Sequence, residues 1–598
     1  MYTDSEQQSA DARVAHATME LNNKNQKELE YYDKLHHQKY RDENQTKQQH
    51  AFQLASTLAS DFDHKNKLYS ALYWNRFLPA GRVQAALGAT EREVSPFNCS
   101  VSQRIDDCID SIMSAQSNAV KILRLGTGIG YNFSHLRPKG AEIKKLKTEA
   151  SGPLSFMEGF NVYAATIASA GHRRGAMMGI LNVDHPDIEA FIDSKMVEGA
   201  LRQFNISVGI TDPFMAAVSN DEPWTLQFEG KVYKEIPARY LWEKIIKNAY
   251  DSAEPGIIFI DRLNDTNNLW YCETIEATNP CSEQPLPPYG LCMLGSFNLP
   301  AYLYHKKGEL AFNQDVFVED IHAVVEAYDN IFDKAIYAIP EHREEAIAKR
   351  RMGLGLTGIA NAIELLMGIP SYGSESFCLV LDDIAKTLRN HAYAASIKLA
   401  QQRGAFPMFD KNKYMASEFI TSLPDEINKS ISKHGIRNSH LISYAPCGTI
   451  SQTAWNVSSG VEPVFYHEMS RDVYMRTGKE NVTTTDFAYR EYNFKGKTLA
   501  ECSIEDHLKV TEICQKYCDS AVSKTINVSP NCSYQEYETV YLQAYSRGLK
   551  GITVYRPTPL RGVVIKALDK PKEEPVEEQL ELPLEMPKTS CVNGLCER

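Results

Sequence analysis

Cys281 stands in the run Ala277–Asn298, ATNPCSEQPLPPYGLCMLGSFN, with Asn279 two residues before it and Glu283 two after. In extended backbone, alternate side chains share a face, and Pro280 favours extension at Asn279. The spacing predicts an amide, a thiol and a carboxylate pointing the same way. The amide can hold hydroxyls and the carboxylate can take a proton. A second thiol, Cys292, follows the Pro287–Pro288 turn. An isolated Cys is most often a core residue. Core packing alone does not account for an Asn and a Glu on the thiol's face, because buried polar groups without partners cost free energy.

Other stretches carry chemistry of their own. SPFNCSVSQ (Ser95–Gln103) alternates and reads as a strand holding Cys99. SYAPCGTISQTA (Ser443–Ala454) reads as a strand entering a turn rich in Gly and hydroxyls, whose backbone N–H groups can bind an anion. Cys447 within it reads as a passive thiol. Gly126, Gly128 and Gly130 form G-x-G-x-G, not the dinucleotide G-x-G-x-x-G, and read as a tight turn. Cys514 and Cys518 lie four apart on an expected helix and read as core. Cys591 and Cys596 could form a zinc half-site but lack further ligands nearby, so no metal site is expected.

The string NPCSEQPL…PYGLCMLGSFNL resembles the finger-loop motif of ribonucleotide reductase catalytic subunits. Motifs in that family's order run from about Phe77 to Arg556, beginning with FLPAGRVQAA. The close spacing of Cys281 and Cys292 resembles the adenosylcobalamin-dependent (class II) branch. So does the ending Val554-Tyr555-Arg556, which lacks the adjacent tyrosines usual in class I. The resemblance implies reduction of ribonucleoside di- or triphosphates by a thiyl radical on Cys281. It makes Glu283 the general base and Asn279 the residue that orients the hydroxyls. Cys99 and Cys292 become the pair that supplies two electrons. Asn98, Gly448, Thr449 and Ser451 fall where substrate is bound. Asp107, Arg137 and Lys144 fall where a dNTP or ATP effector is held, and Arg173 falls in the specificity loop SAGHRRGAMMG. Cys591 and Cys596 resemble a swinging thiol pair re-reduced by thioredoxin or glutaredoxin. The implied cofactor is adenosylcobalamin and the implied assembly a homodimer. The alternative is a class I catalytic subunit fed by a separate metal-containing radical subunit. A remote alternative is a non-catalytic nucleotide-binding or thiol-redox protein.

These residues need a large scaffold, and 598 residues supply one. The chain is 43% hydrophobic and 23% charged, as soluble globular proteins are. A net charge of −12 argues against a dedicated nucleic-acid surface. The 13 cysteines are irregularly spaced and fit reduced thiols in the cytoplasm better than a secreted disulfide framework. The start lacks a basic region followed by an apolar run, and no stretch is apolar enough to span a bilayer.

The polar leader 1–53, with a weak helical stripe at Leu29, Tyr32 and Leu35, is too short and polar to resemble a complete ATP-cone domain. A helical region is expected over 54–94, a catalytic barrel over 95–565 and a flexible acidic tail over 566–598. Strands are expected at Leu201–Ile210, Pro255–Asn264 and Lys550–Gly562. Helices are expected at Val316–Ala338, capped by Asp315, and at Glu375–Arg403, ending near Gly404. Strands alternating with helices give an α/β class. The resemblance specifies a ten-stranded α/β barrel with a central finger loop.

Overall fold

The computed structural model describes residues 26–167, 176–197, 199–475, 478–557 and 565–567. The strands that carry the site are β1 (Phe77–Pro79), β2 (Cys99–Val101), β3 (Gly128–Asn132), β4 (Met177–Asn182), β5 (Phe204–Ile210) and β6 (Gly256–Phe259), followed by β7 (Leu291–Cys292), β8 (Leu294–Asn298), β9 (Gly353–Thr357), β10 (Thr525–Asn527) and β11 (Gly551–Tyr555). Eight of them form one sheet in the order β7-β2-β3-β4-β5-β6-β11-β10. Its centre, β2 through β6, is parallel, while β7 and β11 run antiparallel to β2 and β6. A second sheet orders β1-β8-β9. The segment from β7 to β8 passes from one sheet to the other through Met293. Parallel bridges at Leu354–Ile442 and Tyr444–Val522 extend the pairing beyond β9.

Parallel strands buried on both faces need apolar side chains on both. On β4, Met177 and Leu181 join one large apolar cluster with Phe204, Trp242 and Ile257. Met178 and Ile180 join a smaller one with Ile258, Leu286, Leu294 and Cys292. The smaller cluster seats the segment that carries Cys281.

The helices that bear on the site are α1 (Gln26–Tyr40), α2 (Ile109–Arg124), α3 (Pro153–Thr166), α4 (Gln314–Lys334), α5 (Glu375–Arg403) and α6 (Gly448–Thr453). On α1, Tyr32 and Leu35 are buried, as the weak stripe anticipates. The helix α5 starts after its Ser374 cap and stops at Gly404. Two expectations shift. Asn313, not Asp315, caps α4, its side chain accepting from Val316 N; Asp315 lies in the first turn, where the helix dipole favours a carboxylate. The expected strand Pro255–Asn264 ends at Phe259 and continues as a helix over Ile260–Asp265.

Candidate active site

Ala277–Thr278 pairs with Pro285–Leu286, so the segment around Cys281 is a hairpin. This corrects the extended reading of Asn279, Cys281 and Glu283. Asn279 Oδ1 accepts from Gln284 N at 2.9 Å, Ser282 N donates to Asn279 O at 3.0 Å, and Ser282 takes φ +65°. These bonds fold residues 279–284 into a tight turn. Cys281 and Glu283 still reach a common cavity, because the turn and not strand alternation presents them.

The hairpin lies pressed against glycines. A Cβ on Gly130 would stand 1.8 Å from Thr278 O, and one on Gly128 3.1 Å from Pro280 Cγ. On the opposite side, a Cβ on Gly353 would meet Gln284 Nε2 at 2.5 Å. Thus Gly128 and Gly130 act chiefly as a floor on β3, correcting the tight-turn reading; only Gly126, at φ +87°, needs glycine's backbone freedom. The Glu283 carbonyl accepts from Ser443 Oγ at 2.9 Å and Ala521 N at 3.1 Å. The Asp519 carboxylate in turn accepts from Leu441 N and Ile442 N, fixing the segment that bears Ser443.

The cavity measures about 630 Å³, within the range of small-molecule sites. Cys281 is half-buried, whereas Glu283 is 1% exposed. Cys99 lines the same cavity and stands directly opposite Cys292 in the β2–β7 register. Opposed antiparallel residues have Cα atoms about 4.5–5.5 Å apart, inside the range that a disulfide spans. Burial, then Cys99 and Glu283, pushes the Cys292 thiol well up. Asn279 is fully buried and donates from Nδ2 to Cys99 Sγ at 3.0 Å.

Asn98, Gly448 and Thr449 line this cavity. Ser451 is buried, does not line it, and donates to Gly448 O at 3.3 Å. Cys447, at the start of α6, also lines it beside Ser296 Oγ at 3.1 Å, and burial raises its pKa. The sequence reading missed Leu35, Lys39 and Tyr40 of α1, together with Arg82 and Arg471, as wall residues. Leu35 belongs to the stripe and Arg82 to FLPAGR, so signals existed; Arg471 had none. Cys514 and Cys518 are core residues.

A second cavity of about 650 Å³ lies beyond the ends of β3 and β4. Asp107 and Arg137 line it and pair, Arg137 Nε donating to Asp107 Oδ2 at 2.6 Å. Lys144 is exposed on a nearby hairpin and does not line this cavity. His135, also in the wall, bonds Glu276 at 3.0 Å, immediately before the Cys281 hairpin. Arg173, Cys591 and Cys596 lie outside the described residues.

Cys99, Cys281, Cys447 and Glu283 at one cavity of an α/β fold, with Cys292 opposite Cys99, make a site suited to a thiol-based oxidoreductase. Residues 97–555 match the family model described as "Ribonucleotide reductase, barrel domain", and the chain belongs to the ribonucleotide reductase family. It is 34% identical over 494 residues to the vitamin B12-dependent ribonucleoside-diphosphate reductase of Mycobacterium tuberculosis CDC 1551, covering 77% of this chain and 68% of that protein. It is also 34% identical over 488 residues to the protein of that name from Thermoplasma acidophilum, covering 76% and 60%. It is 27% identical over 556 residues to the vitamin B12-dependent ribonucleotide reductase of Streptomyces avermitilis, covering 79% and 57%. Among the described residues, no helix is long and apolar enough to cross a membrane.

Proposed function

We propose that the chain reduces ribonucleoside diphosphates to 2′-deoxyribonucleotides with adenosylcobalamin as cofactor. The carrying observation is the Cys99–Cys292 pair, opposed in register beside the cavity that Cys281 and Glu283 face. The relatives' names supply the diphosphate substrate and the cobalamin. The cavity wall suits the adenosyl part of that cofactor: Leu35, Tyr40, Ala80 and Pro280 offer apolar surface beside Cys281, and Leu35 and Tyr40 are the residues that would hold it. When bound, the cofactor supplies the one-electron oxidising equivalent to Cys281.

The chain's own residues then act in order. The Cys281 thiyl takes the 3′-hydrogen of the ribose, re-forming S–H. Glu283 takes the 3′-hydroxyl proton as general base; the turn that buries it fixes its reach. The 2′-hydroxyl leaves as water, and Cys99 and Cys292 give up two electrons and two protons as their S–S bond forms. The 3′-hydrogen then returns from Cys281, re-forming its thiyl, and Glu283 returns its proton to the 3′-oxygen. Gly448 and Thr449 bind the phosphates, and Ser451 braces their turn through Gly448 O. Asp107 and Arg137 hold a dNTP or ATP effector in the second cavity, with Lys144 on a nearby hairpin, and Arg173 of the specificity loop reads the substrate base. Cys591 and Cys596 carry electrons from thioredoxin or glutaredoxin to the spent pair.

The bridges at Leu354–Ile442 and Tyr444–Val522 support joining both sheets into one ten-stranded barrel. A homodimer is supported by Ile109 and Met113 on α2 and Val162 and Tyr163 on α3, all large, apolar and exposed. A cytoplasmic location is supported by the irregular spacing of the 13 cysteines, which fits reduced thiols.

The test is anaerobic reduction of a ribonucleoside diphosphate by the purified chain with a dithiol and an effector. Turnover is expected only with adenosylcobalamin, and Cys281→Ser should lose at least 1,000-fold, the order of removing a covalent catalyst's nucleophile. Reduction at the parent rate by Cys281→Ser would falsify the scheme.

A further inference from the structure

Asn279 is assigned above, with the family, to the substrate hydroxyls. Its side chain is otherwise engaged in this structure. Oδ1 is committed to the Gln284 N–H at 2.9 Å. That bond fixes which end of the amide is which, because the opposite orientation would set an NH₂ against an N–H. The donor end is therefore the end that meets Cys99 Sγ at 3.0 Å. The whole arrangement is fully buried at Asn279 and rests on the turn that presents Cys281. A neutral donor aimed at sulfur favours the thiolate over the thiol.

We propose that Asn279 is a positioning residue for the reducing pair: its amide holds Cys99 Sγ opposite Cys292 and stabilises Cys99 in the deprotonated form. The inference rests on the reductase reading for the use of the pair, not for the bond itself. The chemistry gives it a place. Forming the disulfide from two thiols releases two protons and two electrons; the electrons go to the substrate, and each sulfur must part with its proton. Among the described residues no hydrogen-bond donor meets Cys292 Sγ: it is fully enclosed and burial pushes its thiol up, opposed by the charge of Arg351. The two sulfurs are thus unequal, with Cys99 the one from which a proton leaves first. The amide keeps a second N–H on Nδ2, but Asn279 is fully buried and is not among the residues that line the cavity.

The experiment reads Cys99 directly and needs no turnover. Full-length, fully reduced protein is treated with iodoacetamide from pH 6 to 10, and each cysteine is followed by peptide mass spectrometry. In the parent, Cys99 is expected to titrate at a lower pH than Cys447, which lines the same cavity and whose thiol burial pushes up despite contacts with Ser296, Thr357 and the Gly460 N–H. In Asn279→Ala and Asn279→Ser, the Cys99 midpoint should rise by about one unit, a tenfold slower alkylation at pH 7.5, while exposed Cys108 keeps its profile. A Cys99 midpoint at or above that of Cys447 in the parent overturns the proposal without any variant. So does an unmoved Cys99 midpoint in a variant that keeps the parent's melting temperature. Failure of the reductase reading would appear separately, as absence of deoxynucleotide product with the Cys99 titration intact.

Discussion

At the residue scale, the site depends on atoms that are missing as much as on those present. Gly130 leaves 1.8 Å between a would-be Cβ and Thr278 O, a backbone atom that cannot rotate away. Gly130→Ala must push the hairpin off β3, with Cys281 on its tip. Overpacking of this kind costs about 1–3 kcal/mol, and displacement of the thiol costs turnover besides. Gly128→Ala meets the Pro280 ring at 3.1 Å and Ala176 O at 3.4 Å, far looser contacts, and should cost less in both. Thermal melts and turnover of the two variants check this; a Gly130→Ala protein with parental stability and rate would sink the close-contact account. The sequence made the reactive residue types legible, because Cys281, Glu283 and Asn279 crowd one short run. It did not reveal the turn, whose closing bonds run from Asn279 to the backbone of Gln284. Nor could it show that three glycines on β3 and β9 are spaced for a hairpin lying over them, since that contact is tertiary.

At the element scale, α1 is part of the cavity and not a mere leader, and its seat is titratable. His36 Nε2 bonds Gln84 Oε1 at 2.9 Å, and His50 Nε2 bonds Gln84 O at 3.1 Å, with the two rings edge to face. Burial lowers the His50 pKa to about 4, aided by Arg41 and Lys47 and opposed by Gln84 and Asp42. Burial also holds His36 well below its ordinary range. Both rings are neutral in the fold. For a base with a depressed folded pKa, the stability is complete above the unfolded value of about 6.5 and is lost as pH falls toward 4. For His50 alone the loss reaches about 3 kcal/mol. Acid should therefore loosen α1 before the strands of the large sheet, and proteolytic cutting between residues 26 and 58 should rise steeply between pH 6.5 and 4.5. A flat cutting rate over that window would show the seat is not acid-labile. Helices with strong periodicity and caps, such as α5 between Ser374 and Gly404, were legible from sequence alone. The docking of α1 was only partly so: Tyr32 and Leu35 marked a buried stripe, but the partner surface around Gln84 lies tens of residues away.

At the scale of the whole molecule, the two cavities are joined by a short path. His135, in the wall of the second, bonds Glu276, and the Glu276 carbonyl accepts from Asn132 Nδ2 at 2.8 Å at the root of the Cys281 hairpin. An effector held in the second cavity, as proposed, would gain from a partner copy on the adjoining helices. There α2 and α3 pack side by side, Gln116 lying over Gly159, and Ile109, Met113, Val162 and Tyr163 remain exposed at 45–61%. Four large apolar side chains on one helix pair exceed what a solvated surface needs to carry and suit a self-complementary contact between copies. Met113→Glu combined with Val162→Glu places carboxylates in that contact, and burying unpaired charge costs several kcal/mol. Light scattering coupled to size exclusion should give a dimer mass for the parent and a monomer mass for the double variant at micromolar concentration. Because both positions lie outside the cavity that holds Cys281, the dispersed variant should keep thiol chemistry at that cavity while losing its response to effector. A parent that runs as a monomer, or a double variant that stays dimeric, would remove these helices as the interface.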